Sequence, residues 1–470
     1  MRNGSVVCLT ILLGITLCSG LLVKAGQTAG RNRVVDPPME QAQQIYIQNA
    51  ADEELAFQPT VLSHYTADMP AVGHPVLQWS RIDGAVMYDV QILKKRDGAD
   101  GEAAYYEPIM PLQRAYGTGY ELALPDTFMD DVFYWRVQPI DLQGKAIGPF
   151  SAVEEVHVDA AAPFVEKPHI INHYNQGYGQ VLLYPVYDWI AVPGADHYEV
   201  EILDAEPENP NGIELSIHRI DAYTTAYAQQ YDQKPRMASE PFYWRVRALD
   251  SSGNPIGVYS DAQTYTTNPD DSYEVAVFGD SISHGGGSLS YSPTDWEFSY
   301  ASYLDFPTVN LAQSGDTSAM SDARFIRDVV PFHPRYVLIL MGSNSLRAGV
   351  SASAVIDDLK SVKRKCLAHG MKPVFLTVPP LNLNNISAAF DQDTDWGWKD
   401  AVEEVNAYIE SEVHIDITEG MADSNGELRN ELAVDGLHED PAGKKLMAQA
   451  INDAWPTIQN LPDSAWEEDD

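Results

Sequence analysis

The period of the hydrophobic pattern changes along the chain. An apolar run from Val6 to Val23 comes first. Later stretches such as Tyr88-Asp89-Val90-Gln91-Ile92 alternate apolar and polar positions, the period of half-buried strands. From Tyr273 the texture shifts to short apolar runs, Val275–Phe278, Thr308–Ala312, Tyr336–Met341, Pro373–Val378 and Val413–Ile417. Segments of helical spacing lie between them, for example Ser353–Ala368 and Trp398–Glu412. Such strand–helix alternation predicts a parallel sheet covered on both faces, a three-layer α/β/α domain over 273–460.

The middle of the chain repeats itself. Pro75-Val76-Leu77-Gln78-Trp79 with Tyr88-Asp89-Val90-Gln91-Ile92 corresponds to Pro185-Val186-Tyr187-Asp188-Trp189 with Tyr198-Glu199-Val200-Glu201-Ile202. Phe133-Tyr134-Trp135-Arg136-Val137 corresponds to Phe242-Tyr243-Trp244-Arg245-Val246, and the offset stays at 109–110 residues. Asp141-Leu142-Gln143-Gly144 and Asp250-Ser251-Ser252-Gly253 read as equivalent hairpin turns. Two all-β sandwiches are therefore expected, over 57–158 and 163–267. Because Trp79, Trp135, Trp189 and Trp244 recur in register, they are placed in cores rather than on a sugar-stacking platform. At these residues the two units resemble fibronectin type III modules, which implies spacers or docking surfaces.

The first residues carry Arg2, the apolar run and Val23-Lys24-Ala25, a small-x-small cleavage pattern, so 1–25 reads as a signal peptide. Lipidation at Cys18 and an uncleaved anchor are the competing readings. Residues 26–56 read as a leader and 461–470 as an acidic, solvated tail. Exported proteins often carry disulfides, yet after cleavage only Cys366 of the three cysteines remains. It lies in a helical pattern and reads as packed. The formal charge of −38, for 30 basic and 68 acidic residues, disfavours phosphate backbones and anionic lipid surfaces as partners. Nucleic acid and membrane binding beyond the signal segment are not expected.

Each candidate chemical group follows one of the strands or precedes the last helix. Gly279-Asp280-Ser281 ends the first strand, Gln313-Ser314-Gly315-Asp316 follows the second, and Gly342-Ser343-Asn344-Ser345 follows the third. Asp435-Gly436-Leu437-His438 comes before the last helix. In that helix Asp440 is expected to cap, Pro441 to occupy the first turn, and Leu446, Met447, Ile451 and Trp455 to face the core. Acyl transfer needs a nucleophile, a base, an orienting group and oxyanion donors. Ser281 suits the first, His438 the second and Asp435 the third. The backbone N–H groups of Ser281 and Gly315 and the Asn344 side-chain amide suit the oxyanion. Asp280 reads as a turn or capping residue. Activity should fall at low pH as His438 becomes protonated, within about pH 5 to 8.

In these four blocks the chain resembles the SGNH (GDSL) hydrolase family. The resemblance covers about residues 273–460. It implies an esterase with Ser281, Asp435 and His438 as catalytic residues and Ser281, Gly315 and Asn344 as the oxyanion hole. The third block departs from the family pattern, with Ser345 in place of an aspartate. His284-Gly285-Gly286-Gly287 looks like the oxyanion loop of α/β-hydrolase lipases, but no Gly-x-Ser-x-Gly elbow occurs anywhere in the chain. Those glycines are expected to loosen a loop beside Ser281, with His284 a minor alternative base.

No group of histidines and cysteines has metal-ligand spacing, so neither a metal nor a cofactor is expected. Tyr291, Trp296, Phe298 and Tyr300, and Phe390, Trp396 and Trp398 in a second loop, can wall a pocket, stack on a sugar or simply pack. The expected substrate is an ester, a short acyl (acetyl) group on an exported polysaccharide or glycan. A lipase or thioesterase is the alternative within enzymes. A non-catalytic surface-binding protein with a relic hydrolase domain is the alternative outside them.

Overall fold

In the computed structural model the described residues are 57–467, apart from 99–101, 126–127, 129–130, 172–180 and 289. The expected signal peptide and leader lie outside them, and so do residues 468–470.

Both central units are antiparallel. In the first, Met87–Arg96 pairs with Val132–Ile140, Tyr105–Pro108 and Gln113–Ala115, while Val76–Gln78 pairs with Gly119–Glu121. In the second, His197–Leu203 pairs with Arg219–Thr225 and Phe242–Leu249, while Val186–Asp188 pairs with Gln229–Tyr231. The four tryptophans are buried in the two cores, Trp79 and Trp135 in one, Trp189 and Trp244 in the other. The equivalent hairpin turns also form. Asp141 Oδ1 accepts from the Gln143 and Lys145 N–H groups, and Asp250 Oδ1 from those of Ser252 and Asn254. Gly144 and Gly253 take φ near +80°, which favours glycine at each turn.

The C-terminal sheet has six strands, here labelled β1 (Val181–Leu182), β2 (Val275–Gly279), β3 (Thr308–Asn310), β4 (Tyr336–Leu340), β5 (Lys372–Leu376) and β6 (His414–Ile415). Its order is β6-β5-β4-β2-β3-β1, and every pairing is parallel. Successive side chains of β2 go to opposite faces: Ala276 and Phe278 join one core, Val275 and Val277 the other. Both faces are covered, which is why the strand reads as an unbroken apolar run. Helices α1 (Ser281–His284), α2 (Ser318–Asp328), α3 (Ser343–Arg347), α4 (Ala352–Ala368), α5 (Leu383–Phe390), α6 (Trp398–Glu410) and α7 (Pro441–Gln459) follow in chain order. Core residues of α2, α4 and α6 pack on one face of the sheet, those of α7 on the other.

Four sequence expectations need correction. Strand β1 comes from within the second β unit, and Leu183 and Tyr184 just after it enter the α/β core, so the two units interlock. The segment after α7 is packed rather than frayed up to Trp466: its indole N–H donates to the Pro373 carbonyl at 2.9 Å, with the Lys372 ammonium over its ring. Asp440 stands at the N-cap of α7, but its carboxylate accepts from the Val434 N–H at 2.8 Å instead of from the helix. Leu446 is 39% exposed, while Met447, Ile451 and Trp455 are buried as expected. Four residues separate successive core positions, whereas Leu446 falls on the outer side of the same stripe.

Candidate active site

The site lies beyond the carboxyl ends of β2, β3 and β4, the general location of sites in open parallel sheets. The chain turns sharply as β2 ends. A side chain at Gly279 would place its Cβ 1.8 Å from the Leu340 carbonyl oxygen, so the close approach of β2 to β4 admits only glycine there. Asp280 then caps α1, its Oδ1 accepting from the Ile282 N–H at 3.1 Å. Its Oδ2 is buried without a partner, and burial pushes the carboxyl up to about 7, against the Ile282 hydrogen bond and the His438 charge. Ser281 is the first residue of α1.

The loop before α7 meets Ser281. His438 Nε2 lies 2.9 Å from Ser281 Oγ, and His438 Nδ1 lies 2.9 Å from Asp435 Oδ2. The other Asp435 oxygen accepts from the backbone N–H groups of Leu437 and His438, each at 2.8 Å. Burial acts to raise the Asp435 carboxyl, but the His438 charge and these hydrogen bonds outweigh it and hold the group below the usual carboxylate range. An ionised Asp435 fixes the proton on Nδ1 and leaves Nε2 free to accept one from Ser281. Gly436 has φ +79° and packs against the Asn382 carbonyl, which tightens this loop.

The expected oxyanion donors come from three adjacent strand ends. The N–H groups of Ser281 and Gly315 have no acceptor among the described residues. Gly315 has φ +89° with open space beside it, so conformation rather than crowding requires glycine there. Asn344 donates one amide hydrogen to the Asp316 carbonyl at 2.9 Å, which ties the third block to the second. Ser345 is hydrogen-bonded as well: its Oγ accepts from the Ser318 N–H at 2.9 Å and joins a chain through Ser318 Oγ to Asp358. Where the family pattern has an aspartate, this chain uses a neutral hydroxyl to hold α2.

His284 is not beside the Ser281 hydroxyl. Its Nε2 donates to the Tyr184 carbonyl at 2.8 Å, and its Nδ1 accepts from Ser314 Oγ at 2.8 Å and the Ser314 N–H at 3.2 Å. Burial pushes the imidazole down to about 4, opposed by the Tyr184 bond and reinforced by the Arg324 charge. A neutral His284 thus pins the turn holding Gly315 to the segment after β1. Folded His284 resists protonation while unfolded His284 takes its proton near the ordinary value of about 6.5. Its stability contribution is therefore full above that pH and shrinks as the pH falls toward 4. The stability gap between wild type and His284→Asn, from urea unfolding, is expected to narrow by up to about 1.4 kcal/mol per pH unit across that window. A gap that stays constant from about pH 7 to 4 would refute this.

The glycines after His284 do not loosen a loop. A Cβ on Gly287 would meet the Phe298 ring at 2.3 Å, and Tyr291 stacks on Phe298 with centroids 4.4 Å apart. This loop is pressed against both β units. Tyr291 meets Tyr88 (hydroxyls 3.3 Å apart), Arg81 pairs with Glu297 at 3.0 Å, and Thr294 donates to Asp188 at 2.7 Å. Tyr300 and Trp398 are also buried, so these aromatic residues pack. Phe390 remains half-buried with its ring edge-on to His438 at 6.0 Å. Trp396 is 90% exposed, on a loop tied to α3 through the Asp395 N–H and Arg347 carbonyl at 2.9 Å.

Two supporting groups escaped sequence reading. Arg324 is buried on α2 and donates to the Gly279 carbonyl (2.9 Å), the Leu311 carbonyl (2.7 Å), Asp316 (2.5 Å) and Asp328 (3.2 Å). Lys444 on α7 is fully buried and donates to the Ile282 carbonyl at 2.8 Å and to Glu439 at 3.1 Å. The available signal for Arg324 was an arginine bracketed by Asp316 and Asp328 on a helical stretch. Lys444 left only Glu439 five residues before it, since its other acceptor is a backbone carbonyl far away in sequence.

Residues 277–446 match the GDSL-like lipase/acylhydrolase family. The match lies within the C-terminal domain and points to a hydrolase acting on ester bonds. No curated protein matches the chain. Among solved structures, a GDSL-like lipase from Bacteroides thetaiotaomicron is 18% identical, with a TM-score of 0.33, covering 39% of this chain and 88% of its own. The lipase/acylhydrolase from Enterococcus faecalis is 18% identical, with a TM-score of 0.32, covering 40% and 96%. A mutant of an acetyl-xylooligosaccharide esterase from Geobacillus is 19% identical, with a TM-score of 0.28, covering 38% and 91%.

Proposed function

We propose that the protein is an exported serine esterase that removes short acyl groups, acetyl above all, from a carbohydrate. The observation that carries the mechanism is the unbroken relay Ser281 Oγ–His438 Nε2 and His438 Nδ1–Asp435 Oδ2, both at 2.9 Å. Ser281 attacks the ester carbonyl as its proton passes to His438 Nε2, and Asp435 steadies the imidazolium. The Ser281 and Gly315 N–H groups and Asn344 Nδ2 receive the oxyanion, each donor contributing about 3 kcal/mol at the transition state. His438 returns the proton to the leaving alcohol. Water, deprotonated by the same imidazole, then releases the acid and restores Ser281.

The substrate class rests on Trp396, a bare indole face on a loop bonded to the helix that carries Asn344, suited to stacking on a sugar ring. It also rests on the signal-like residues 1–25 and on the two β units, read as fibronectin type III-like modules that space or dock the enzyme on a polymer. The test is a profile over p-nitrophenyl acetate, butyrate, octanoate and palmitate, with acetylated xylan and chitin oligomers beside them. The reading expects kcat/KM to fall at least about tenfold from acetate to octanoate, and acetate to be released from a glycan. Faster turnover of the long chains would make the protein a lipase or thioesterase instead. No turnover on any ester would leave a relic domain on a surface protein.

A further inference from the structure

Far from Ser281 in sequence, the two β units meet at a small polar cluster. Glu121 ends the strand Gly119–Glu121 and pairs across it with Val76, which brings His74 alongside. Glu166 opens the second unit, its carbonyl accepting from the Val258 N–H at 2.9 Å. His74 Nδ1 lies 2.6 Å from Glu166 Oε2 and 3.7 Å from Glu121 Oε1. One ligand atom from each of the three residues lies within 4.8 Å of the others. The Glu121 and Glu166 side chains are only 3% and 8% exposed, and Glu121 Oε2 is buried with no hydrogen-bond partner. His74 is 31% exposed and forms the open side of the cluster, its ring held 5.2 Å from that of Phe164.

Two buried carboxylates facing each other repel unless a cation or a proton sits between them. We propose that His74, Glu121 and Glu166 bind one divalent transition-metal ion of the zinc type, which rivets the first β unit to the second. An imidazole with two carboxylates suits zinc, whereas calcium and magnesium call for six or more oxygen ligands. Tetrahedral zinc at about 2.0–2.2 Å from each ligand needs donor atoms roughly 3.5 Å apart. The observed separations reach that spacing with side-chain shifts of under about an ångström. Water completes the tetrahedron from the open side at His74. Sequence inspection misses the set because its members lie 47 and 45 residues apart on two separate units.

The test is zinc titration by calorimetry on the full chain after chelator treatment, with calcium and magnesium in parallel. One zinc per chain is expected, with a raised thermal unfolding midpoint and a first shell of nitrogen and oxygen by X-ray absorption. Both His74→Ala and Glu121→Gln should weaken that binding at least about tenfold. Far-UV circular dichroism of the metal-free variants checks that they fold. Zinc binding absent in wild type, equal in wild type and both variants, or outdone by calcium would overturn the proposal. If zinc has no effect while Glu121→Gln raises the metal-free unfolding midpoint, the cluster is a proton-sharing carboxyl pair and the metal site is refuted.

Discussion

Ser281→Ala is expected to lower kcat for p-nitrophenyl acetate by about 10⁴- to 10⁶-fold while the protein unfolds at the same denaturant concentration as wild type. Among the described residues the hydroxyl is hydrogen-bonded to His438 Nε2, so its loss removes the proposed nucleophile without opening a core. The companion change is Asp435→Asn. Asp435 Oδ1 must keep accepting the two backbone N–H groups of Leu437 and His438, so an amide there turns its NH₂ toward His438 Nδ1. Nδ1 then becomes the acceptor and the proton moves to Nε2, which can no longer take one from Ser281. A fall of about 10⁴-fold in kcat, some 5 kcal/mol of barrier, follows with little change in KM. If Ser281→Ala retains more than about a hundredth of the wild-type rate, another residue is the nucleophile. If only Asp435→Asn is mild, Asp435 positions the loop without setting the tautomer.

The second large effect concerns stability. Arg324→Met keeps most of the side-chain volume but leaves buried Asp316 without its guanidinium, while buried Asp328 keeps Arg327 at 2.6 Å and the Tyr184 hydroxyl at 2.6 Å. It also leaves the Gly279 and Leu311 carbonyls without its N–H donors. Removing one partner of a buried charge network costs about 3–5 kcal/mol, because the remaining charges stay desolvated. Urea unfolding should report a loss of that size with an unchanged m-value. The Gly279 carbonyl immediately precedes Asp280-Ser281 and Asp316 adjoins Gly315, so the folded fraction should also hydrolyse esters more slowly. A loss below about 1 kcal/mol would show that water or rearranged side chains replace the arginine. The double variant Asp316→Asn, Arg324→Met should recover much of the loss if uncompensated charge is its cause.

Much of this protein was legible in the chain because it depends on near neighbours. Alternation and short apolar runs set the antiparallel and parallel regions, since which faces of a strand are buried is written at every second residue. The hairpin turns at Asp141 and Asp250 follow from side-chain-to-backbone bonds spanning two to four residues. Ser281, Gly315, Asn344, Asp435 and His438 could be singled out because each lies directly after a readable strand or before a readable helix.

Other features were decided by contacts between distant segments. Nothing local marks Val181–Leu182 as the sixth strand of the α/β sheet; it takes that place because β3 offers a free edge and the next two residues fill its core. The glycines after His284 look like flexibility in the sequence, yet Phe298 and the two β units close around them. Arg324, Lys444 and His284 act on carbonyls, whose positions no residue type reveals. Local pattern thus set the order of elements and the candidate reacting groups around Gly279-Asp280-Ser281. Only the tertiary structure decided what holds them still, because buried polar groups must find partners wherever the folded chain brings them.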